Sequence, residues 1–97
     1  MGKVFIVNYS GHNVEPAKQY GSLHYLTRNS VNVFCTDRLK LQLIKDMRNY
    51  NNKEDYILLS GAIILNLLVV LEALKHGPKV RILIYNFKIS RYIVRTI

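Results

Sequence analysis

Apolar residues along the chain occur in short blocks separated by longer segments of mixed character. Residues 3–9 (KVFIVNY) are apolar on both faces of an extended chain and stop at Ser-Gly, a turn-forming pair. Residues 55–60 (DYILLS) and 80–85 (VRILIY) have the same character. Because strands of a parallel sheet are buried on both faces, this pattern predicts three central parallel strands.

The two longest intervening segments predict helices. Residues 36–50 begin with Thr36 as an N-cap and Asp37 in the first turn. One predicted stripe of this helix holds Leu39, Leu43, Ile44, Met47 and Tyr50. Residues 62–76 are apolar almost all round and end before Gly77, so we expect this second helix to be covered on more than one side.

Shorter segments complete the predicted order. Residues 15–20 favour a brief helix, and residues 23–27 and 31–34 favour short extended pieces. Residues 92–97 run back after a turn at 86–90. Alternating strands and helices imply right-handed crossovers. The predicted fold is therefore α/β: one domain over residues 1–97 with a small Rossmann-like, mainly parallel sheet flanked by helices, in which a C-terminal β-hairpin adds an antiparallel edge strand.

Charge narrows the classes of partner. The 97 residues carry 14 basic and 6 acidic side chains, a net charge of +8, which favours an anionic ligand, nucleic acid or an acidic protein surface. Residues 56–71 contain no charge, but a spanning helix needs about 20 apolar residues. A buried strand leading into a buried helix explains the same run, so we expect no membrane partner.

Cysteine usage bears on redox chemistry and location. Cys35 is the only cysteine, so neither an intramolecular disulfide nor a cysteine-based zinc site can form. We expect its thiol to be buried, as free cysteine usually is, although its place before a helix would suit a reactive thiol. The first residues lack the pattern of a signal peptide. A cytoplasmic location is expected.

Polar residues follow two of the predicted central strands where a ligand would bind. In open parallel sheets, ligands lie beyond the carboxyl ends of the strands, where glycines and helix N-termini hold anionic groups. Ser60 capping its helix, with Gly61 easing packing, is the structural alternative, and the one we favour. Neither standard phosphate-binding glycine motif is present, and we predict no cofactor. The predicted ligand-binding residues are Asn8, Ser10, Gly11, His12, Ser60 and Gly61.

Catalytic and metal-binding groups are poorly represented. Ser10 and His12 could act as nucleophile and base, but no acidic residue near them in sequence would orient the imidazole. The three histidines, His12, His24 and His76, are not at ligand spacing. We therefore assign neither a catalytic residue nor a metal ligand.

The last part of the chain is basic and contains aromatic residues. This combination can follow a phosphate backbone and stack bases, whereas the structural alternative is that charge protects an exposed edge strand from aggregation. The edge could also pair with a second copy, making a homo-oligomer. The predicted nucleic-acid or partner surface comprises Lys79, Arg81, Lys88, Arg91, Arg95, Tyr85 and Tyr92.

Several segments spread over the chain resemble small α/β proteins of bacterial viruses and mobile elements. These are VFIVNYSGH at 4–12, KQYGSLHYLT at 18–27, EDYILLSG at 54–61 and ILIYNFKISRYIVRT at 82–96. The resemblance implies an accessory protein in the host cytoplasm and assigns no activity or site residue.

The sequence leaves three hypotheses about function. The first is a non-catalytic module that binds an anionic ligand, a nucleotide or nucleic acid, at the strand ends. The second is a protein-interaction factor whose partner is a host protein, such as a virus-encoded inhibitor of a host enzyme. The third is an enzyme acting on a nucleotide or phosphoester, which requires Ser10 or His12 to be essential.

Overall fold

A computed structural model of the chain describes residues 2–9, 11 and 13–97. A 3₁₀ helix at Glu15–Tyr20 follows the first strand, as predicted for a brief helix with Pro16 near its start. The strands are β1 (Lys3–Ile6), β2 (Ser22–Tyr25), β3 (Tyr56–Leu58), β4 (Arg81–Asn86) and β5 (Arg91–Thr96), and the α-helices are α1 (Thr36–Asp46) and α2 (Ile63–Leu74).

The five strands form one sheet in the order β2-β1-β3-β4-β5. β1 to β4 are parallel, and β5 pairs antiparallel with β4 through the final hairpin. This arrangement confirms the predicted α/β fold class. We call the end of the sheet where β1 to β4 finish the carboxyl edge, and the opposite end the amino edge.

Each face of the sheet packs a separate hydrophobic cluster. On the helical face, Phe5, Ile57 and Ile82 pack with residues of α1 and α2. On the other face, Val4 and Leu83 pack with the region of the 3₁₀ helix. Because this short helix covers little of the second face, tyrosines complete the cluster, and we call it the tyrosine face. Its tyrosines are Tyr9, Tyr20, Tyr25, Tyr56, Tyr85 and Tyr92.

Several predicted element ends are wrong by a few residues. β1 stops at Ile6, and Tyr9 makes only an isolated bridge with Arg28. Residues 31–34 form no strand, because the chain turns there before α1. Thr36 is the first residue of α1 and not its N-cap, a position that Cys35 occupies without a capping side-chain bond. Such one-residue shifts at helix ends are common.

The surroundings of the two helices differ from the prediction. On α1, Leu43 and Met47 are buried as expected, but Ile44 is 47% exposed. α2 buries one face, whereas Ile63 on its outer side is 79% exposed, so the expectation that it is covered on more than one side is wrong for the described chain. None of the helices in the described residues is long and apolar enough to cross a membrane.

Candidate functional site

The site lies at the carboxyl edge between β1 and β3. The chain leaves β1 toward β2 on one side, and leaves β3 toward β4 on the other. Such a reversal of direction opens a crevice between the connections, which is the usual ligand position in open α/β sheets. Asn8 follows β1, while Ser60 and Gly61 follow β3, so three predicted ligand residues meet here.

Ser60 joins the two strands beyond their last paired residues. Its Oγ accepts a 2.9 Å hydrogen bond from the Asn8 main-chain N–H and donates a 2.7 Å bond to the Asn8 carbonyl. The Asn8 side-chain nitrogen in turn donates to Thr27 Oγ1 and to the Asn29 carbonyl, both at 2.9 Å. The hydroxyl and amide therefore build the floor of the crevice.

The start of α2 is organised by Asn66. Its side-chain oxygen accepts a 2.9 Å bond from the Ser60 N–H, and its nitrogen donates 2.8 Å to the Ala62 carbonyl and 3.0 Å to the Ser60 carbonyl. Ala62 is the N-cap and makes no side-chain capping bond. The interpretation of Ser60 as the helix cap is therefore wrong, since its hydroxyl is bonded to Asn8. The first-turn N–H groups of α2 remain free of a side-chain cap within the described residues.

Gly61 allows the loop after β3 to approach β1 closely. Its φ of +79° lies in the left-handed region, and a Cβ built there would be 2.8 Å from the Asn8 Cβ. A side chain at this position would both strain the backbone and collide with Asn8. Gly11 also has a positive φ, +98°, but none of the described residues lies within 4 Å of the position that its Cβ would take.

On the tyrosine face, the crevice widens into a cavity of about 420 Å³, which we call the aromatic cavity. The ring of Tyr85 lies 5.0 Å from that of Phe87 and 5.1 Å from that of Tyr92, both nearly edge to face. Phe87 is 85% exposed, so its ring is available to a ligand. The cavity is lined by Asn8, Tyr9, Asn13, Val14, Leu58, Leu59, Ser60, Gly61, Tyr85, Phe87 and Tyr92.

On the helical face, a second cavity of about 460 Å³ adjoins the same residues. Asn8 and Gly61 line both cavities, and loop residues 29–33 contribute most of the remaining wall. None of the described residues that line this second cavity is aromatic, so they offer no stacking surface. It is lined by Asn8, Asn29, Ser30, Val31, Val33, Gly61, Ala62 and Leu65.

Cationic groups lie at both ends of the carboxyl edge. The Arg28 guanidinium lies 4.4 Å from the centre of the Tyr25 ring and 5.9 Å from that of Tyr9, next to β2. At the other end, Lys88 lies in the turn after β4, and Arg91 begins β5. Both ends of the edge therefore attract anionic groups.

The predicted basic surface is divided between the two edges of the sheet. Arg91 pairs with Asn86 at the carboxyl edge, whereas Arg95 pairs with Ile82 near the amino edge. Arg81, also near the amino edge, covers the Tyr56 ring at 4.1 Å and donates to its hydroxyl. Lys79 precedes β4 at the same end. The predicted group is thus spread over both edges, and Lys88 and Arg95 share the lining of one cavity on the hairpin.

Burial affects the phenol of Tyr92, which was predicted for the basic surface and lines the aromatic cavity. Tyr92 is 7% exposed, and burial, with a smaller contribution from Tyr85, raises the pKa of its phenol. The neutral ring is therefore the form that faces the aromatic cavity at physiological pH. An uncharged ring suits stacking and does not repel an anionic ligand.

Other predicted groups fall elsewhere. Ser10 and His12 lie outside the described residues, so their relation to Ser60 stays a prediction. Cys35 is exposed, and the expectation that it is buried is wrong, because the turn before α1 carries it away from the core. Among the described residues, histidine, cysteine and acidic side chains form no group of three that could hold a metal ion.

Several residues of the site were not predicted from the sequence. Tyr9, Asn13 and Phe87 line the aromatic cavity, and Asn66 holds the loop above it. Phe87 comes directly after β4, and Tyr9 comes three residues after the end of β1, so their positions near strand ends could have indicated them. Asn13 and Asn66 gave no such indication, because their roles depend on how the loops fold back.

Comparison with known proteins supports the resemblance seen in the sequence. The model of a family described as phage Pam3 gp32-like protein matches residues 2–97. Searches among curated proteins and among solved structures gave no match to the chain. Since the matched region covers nearly the whole sequence, the chain belongs to the phage Pam3 gp32-like family.

Proposed function

We propose that the chain binds a nucleotide, free or within nucleic acid, at the carboxyl edge and without catalysing a reaction on it. The observation that carries the proposal is the aromatic cavity at the reversal point between β1 and β3, beside the start of α2. We propose that the protein does so as an accessory factor in the cytoplasm of the phage host.

The aromatic rings suit the base of a nucleotide. Phe87 is exposed and lies nearly edge to face with the partly buried Tyr85, so the face of the Phe87 ring can receive a flat ring. Stacking of a base on an aromatic side chain contributes about 1–3 kcal/mol. The exposed Asn13 amide lines the same cavity and can hydrogen-bond to a base edge. Stacking tolerates any base, so we expect weak preference among nucleotides.

The charge around the cavity suits phosphate. The first-turn N–H groups of α2 and the helix dipole favour an anion near Ala62. Lys88 and Arg91 add positive charge beside Phe87, and Arg28 adds it at the far end of the edge. A ligand extended along the edge would meet cationic groups at both ends with aromatic rings between them. This order is typical of surfaces that bind single strands.

The experiment is calorimetric titration of the full chain with mononucleotides and, separately, with short single-stranded oligonucleotides. Phe87→Ala should weaken binding by roughly 5- to 100-fold, because it removes one stacking ring. Phe34→Ala is the matched control: Phe34 is 93% exposed and lines neither cavity at the crevice, so its loss should leave affinity unchanged.

The two ligand classes give different results. Binding of oligonucleotides alone, with affinity falling steeply as salt rises, would identify nucleic acid, and saturation by a mononucleotide would identify a nucleotide. If wild-type protein binds neither, the proposal fails. It also fails if Phe34→Ala and Phe87→Ala weaken binding equally.

A second candidate is an acidic host protein bound by the hairpin. A shallow cavity of about 510 Å³ on the hairpin includes Ile93, Lys88 and Arg95 in its lining, and Ile84 there is 48% exposed. If this candidate is right, combined charge reversal of Arg91 and Arg95 should abolish capture of the partner protein. Titrations with nucleotides and oligonucleotides should then show no binding, for the wild type as for the variant.

The enzyme hypothesis depends on Ser10 and His12. Unchanged turnover of a nucleotide or phosphoester by His12→Ala would remove the histidine from it, and Ser10→Ala tests the serine in the same way.

A further inference from the structure

The outer side of α2 is an uninterrupted apolar row. Ile63, Leu67, Leu71 and Leu74 follow one another at helical spacing and are 79%, 54%, 59% and 41% exposed. The only charged residue between Ile63 and Leu74 is Glu72, and it is directed inward, with 9% of its surface exposed. A surface helix normally carries polar residues on its solvent side. The outer side of α2 therefore has the composition of an interface.

α1 extends this row into a wider patch. Ile44 of α1 and Leu71 of α2 line the same groove of about 360 Å³ between the helices. Leu41, one turn before Ile44, is 70% exposed, and Ile64 at the start of α2 is 37% exposed. We call these side chains the helix patch: Leu41, Ile44, Ile63, Ile64, Leu67, Leu71 and Leu74.

The size of the helix patch matches an interface between proteins. From their exposed fractions, its seven side chains present roughly 700 Å² of surface, above the 300–600 Å² of the largest patch on a typical monomer. A stable protein–protein interface buries about 800 Å² on each partner. Part of that area belongs to the polar rim, so the helix patch can supply the apolar centre. One partner of similar size would therefore cover the patch.

The uncharged centre of the helix patch makes it the surface where a second copy of this chain can pack with the least charge repulsion. Two molecules of net charge +8 repel each other, so contact is least costly where neither presents a charge at the centre. The row from Ile63 to Leu71 carries no charged side chain, and in the groove between the helices the Lys75 ammonium is paired with Glu72 at 3.1 Å, which leaves Lys40 as the other cation of its lining. On the hairpin, by contrast, an edge-to-edge dimer through β5 would bring Arg91 and Arg95 of one copy close to the arginines of the other.

We propose that the helix patch is the interface of a homodimer in which α2 packs antiparallel against α2 of a second copy. A two-fold axis between Leu67 and Leu71 would set the apolar rows of the two helices against each other, with Ile63 near Leu74 of the partner subunit. Because the axis crosses the middle of α2, the two carboxyl edges face opposite ends of the dimer and both aromatic cavities stay open. The dimer is therefore independent of ligand binding.

Sedimentation velocity of the full chain tests this interface. Wild type should sediment as a dimer, with twice the 11.3 kDa chain mass. The double variant Leu67→Lys, Leu71→Lys should sediment as a monomer, with the dissociation constant raised at least about 100-fold, because charges would meet at the axis. Both positions are more than half exposed, so circular dichroism should be unchanged. The milder Leu71→Gln tests the same contact if the double variant unfolds.

The matched control is Ile84→Lys, an apolar residue of similar exposure on the hairpin. It should leave the dimer intact. A monomeric wild type at 100 µM would overturn the proposal, as would a dimer dissociated by Ile84→Lys but not by the α2 variants. A monomer that binds anionic vesicles through Leu67 and Leu71 would assign the patch to a membrane surface and also overturn it.

Discussion

The main-chain N–H of Lys3 donates a 2.7 Å hydrogen bond to Oδ1 of Asp55, and the ammonium group of the same lysine lies 3.2 Å from Oδ2. Asp55 is fully buried, and its Oδ2 also accepts a 2.8 Å bond from the Asn51 N–H. This carboxylate fixes the start of β1 against the loop that leads into β3. A buried charge of this kind is stable only because it is paired and fully hydrogen-bonded.

We expect Asp55→Ala to lower the free energy of unfolding by about 3 kcal/mol, since two buried main-chain donors lose their acceptor and Lys3 loses its counterion. Urea denaturation measures the loss. Asp46→Ala is the control, because Asp46 is exposed and bonds only to Gln42 in the described chain, and it should change stability by less than about 0.5 kcal/mol. Equal losses in the two variants would contradict this role of Asp55.

Ser60→Ala should lower the free energy of unfolding by about 1–3 kcal/mol. The variant leaves both the N–H and the carbonyl of Asn8 without their partner at the crevice. Ser22→Ala, at an exposed serine on edge strand β2, is the control and should be close to neutral. Because the Ser60 hydroxyl is occupied by Asn8, we expect ligand affinity to change far less than stability. A variant of wild-type stability that loses ligand binding would show that Ser60 contacts the ligand directly.

The sheet was predictable because its central strands are apolar on both faces. Residues 3–9, 55–60 and 80–85 have the pattern typical of buried parallel strands, and chain order with right-handed crossovers then limits the arrangement. The ends were less predictable, since the Tyr9 to Arg28 bridge and the turn at residues 31–34 depend on contacts distant in sequence.

The site was predictable in position and not in detail. A turn of serine and glycine after a buried strand indicated Ser60 and Gly61, which do lie at the crevice. Their roles follow from Asn8 and Asn66, which reach them through side-chain hydrogen bonds that leave no periodic pattern. The outer side of α2 was misjudged because an apolar helix is expected to be covered, and no segment of the described chain covers it.

Tyr50→Phe should leave stability unchanged or raise it by about 1 kcal/mol at neutral pH. The Tyr50 hydroxyl is buried and has no hydrogen-bond partner in the described part of the chain, so removing it relieves an unmet polar group. Burial and then the Asp55 charge raise the pKa of this phenol. The unfolded phenol loses its proton near pH 10 and the folded one at higher pH, so wild type loses stability as pH rises through this window.

The measurement is urea denaturation of wild type and Tyr50→Phe at pH 8 and at pH 10.5. Other groups titrate in the same window, so the quantity that matters is the difference between the two proteins at each pH. That difference should grow in favour of the variant as pH rises. A difference that is constant with pH would contradict the raised pKa of Tyr50.

Gly61→Ala should lower stability and also impair ligand binding, because it affects the backbone and the crevice together. The residue has a φ of +79°, and the new Cβ would lie 2.8 Å from the Asn8 Cβ, closer than real Cβ atoms approach. Gly11→Ala separates the two effects, since φ is +98° there but no described residue lies within 4 Å of the new Cβ. Left-handed strain alone costs about 1 kcal/mol, so Gly11→Ala should lose about that much, and Gly61→Ala at least about twice as much. Urea denaturation compares the two variants, and calorimetric titration follows the ligand. Similar losses of stability would mean that the loop after β3 moves away from Asn8 at little cost, and the close approach would then not be what defines the crevice.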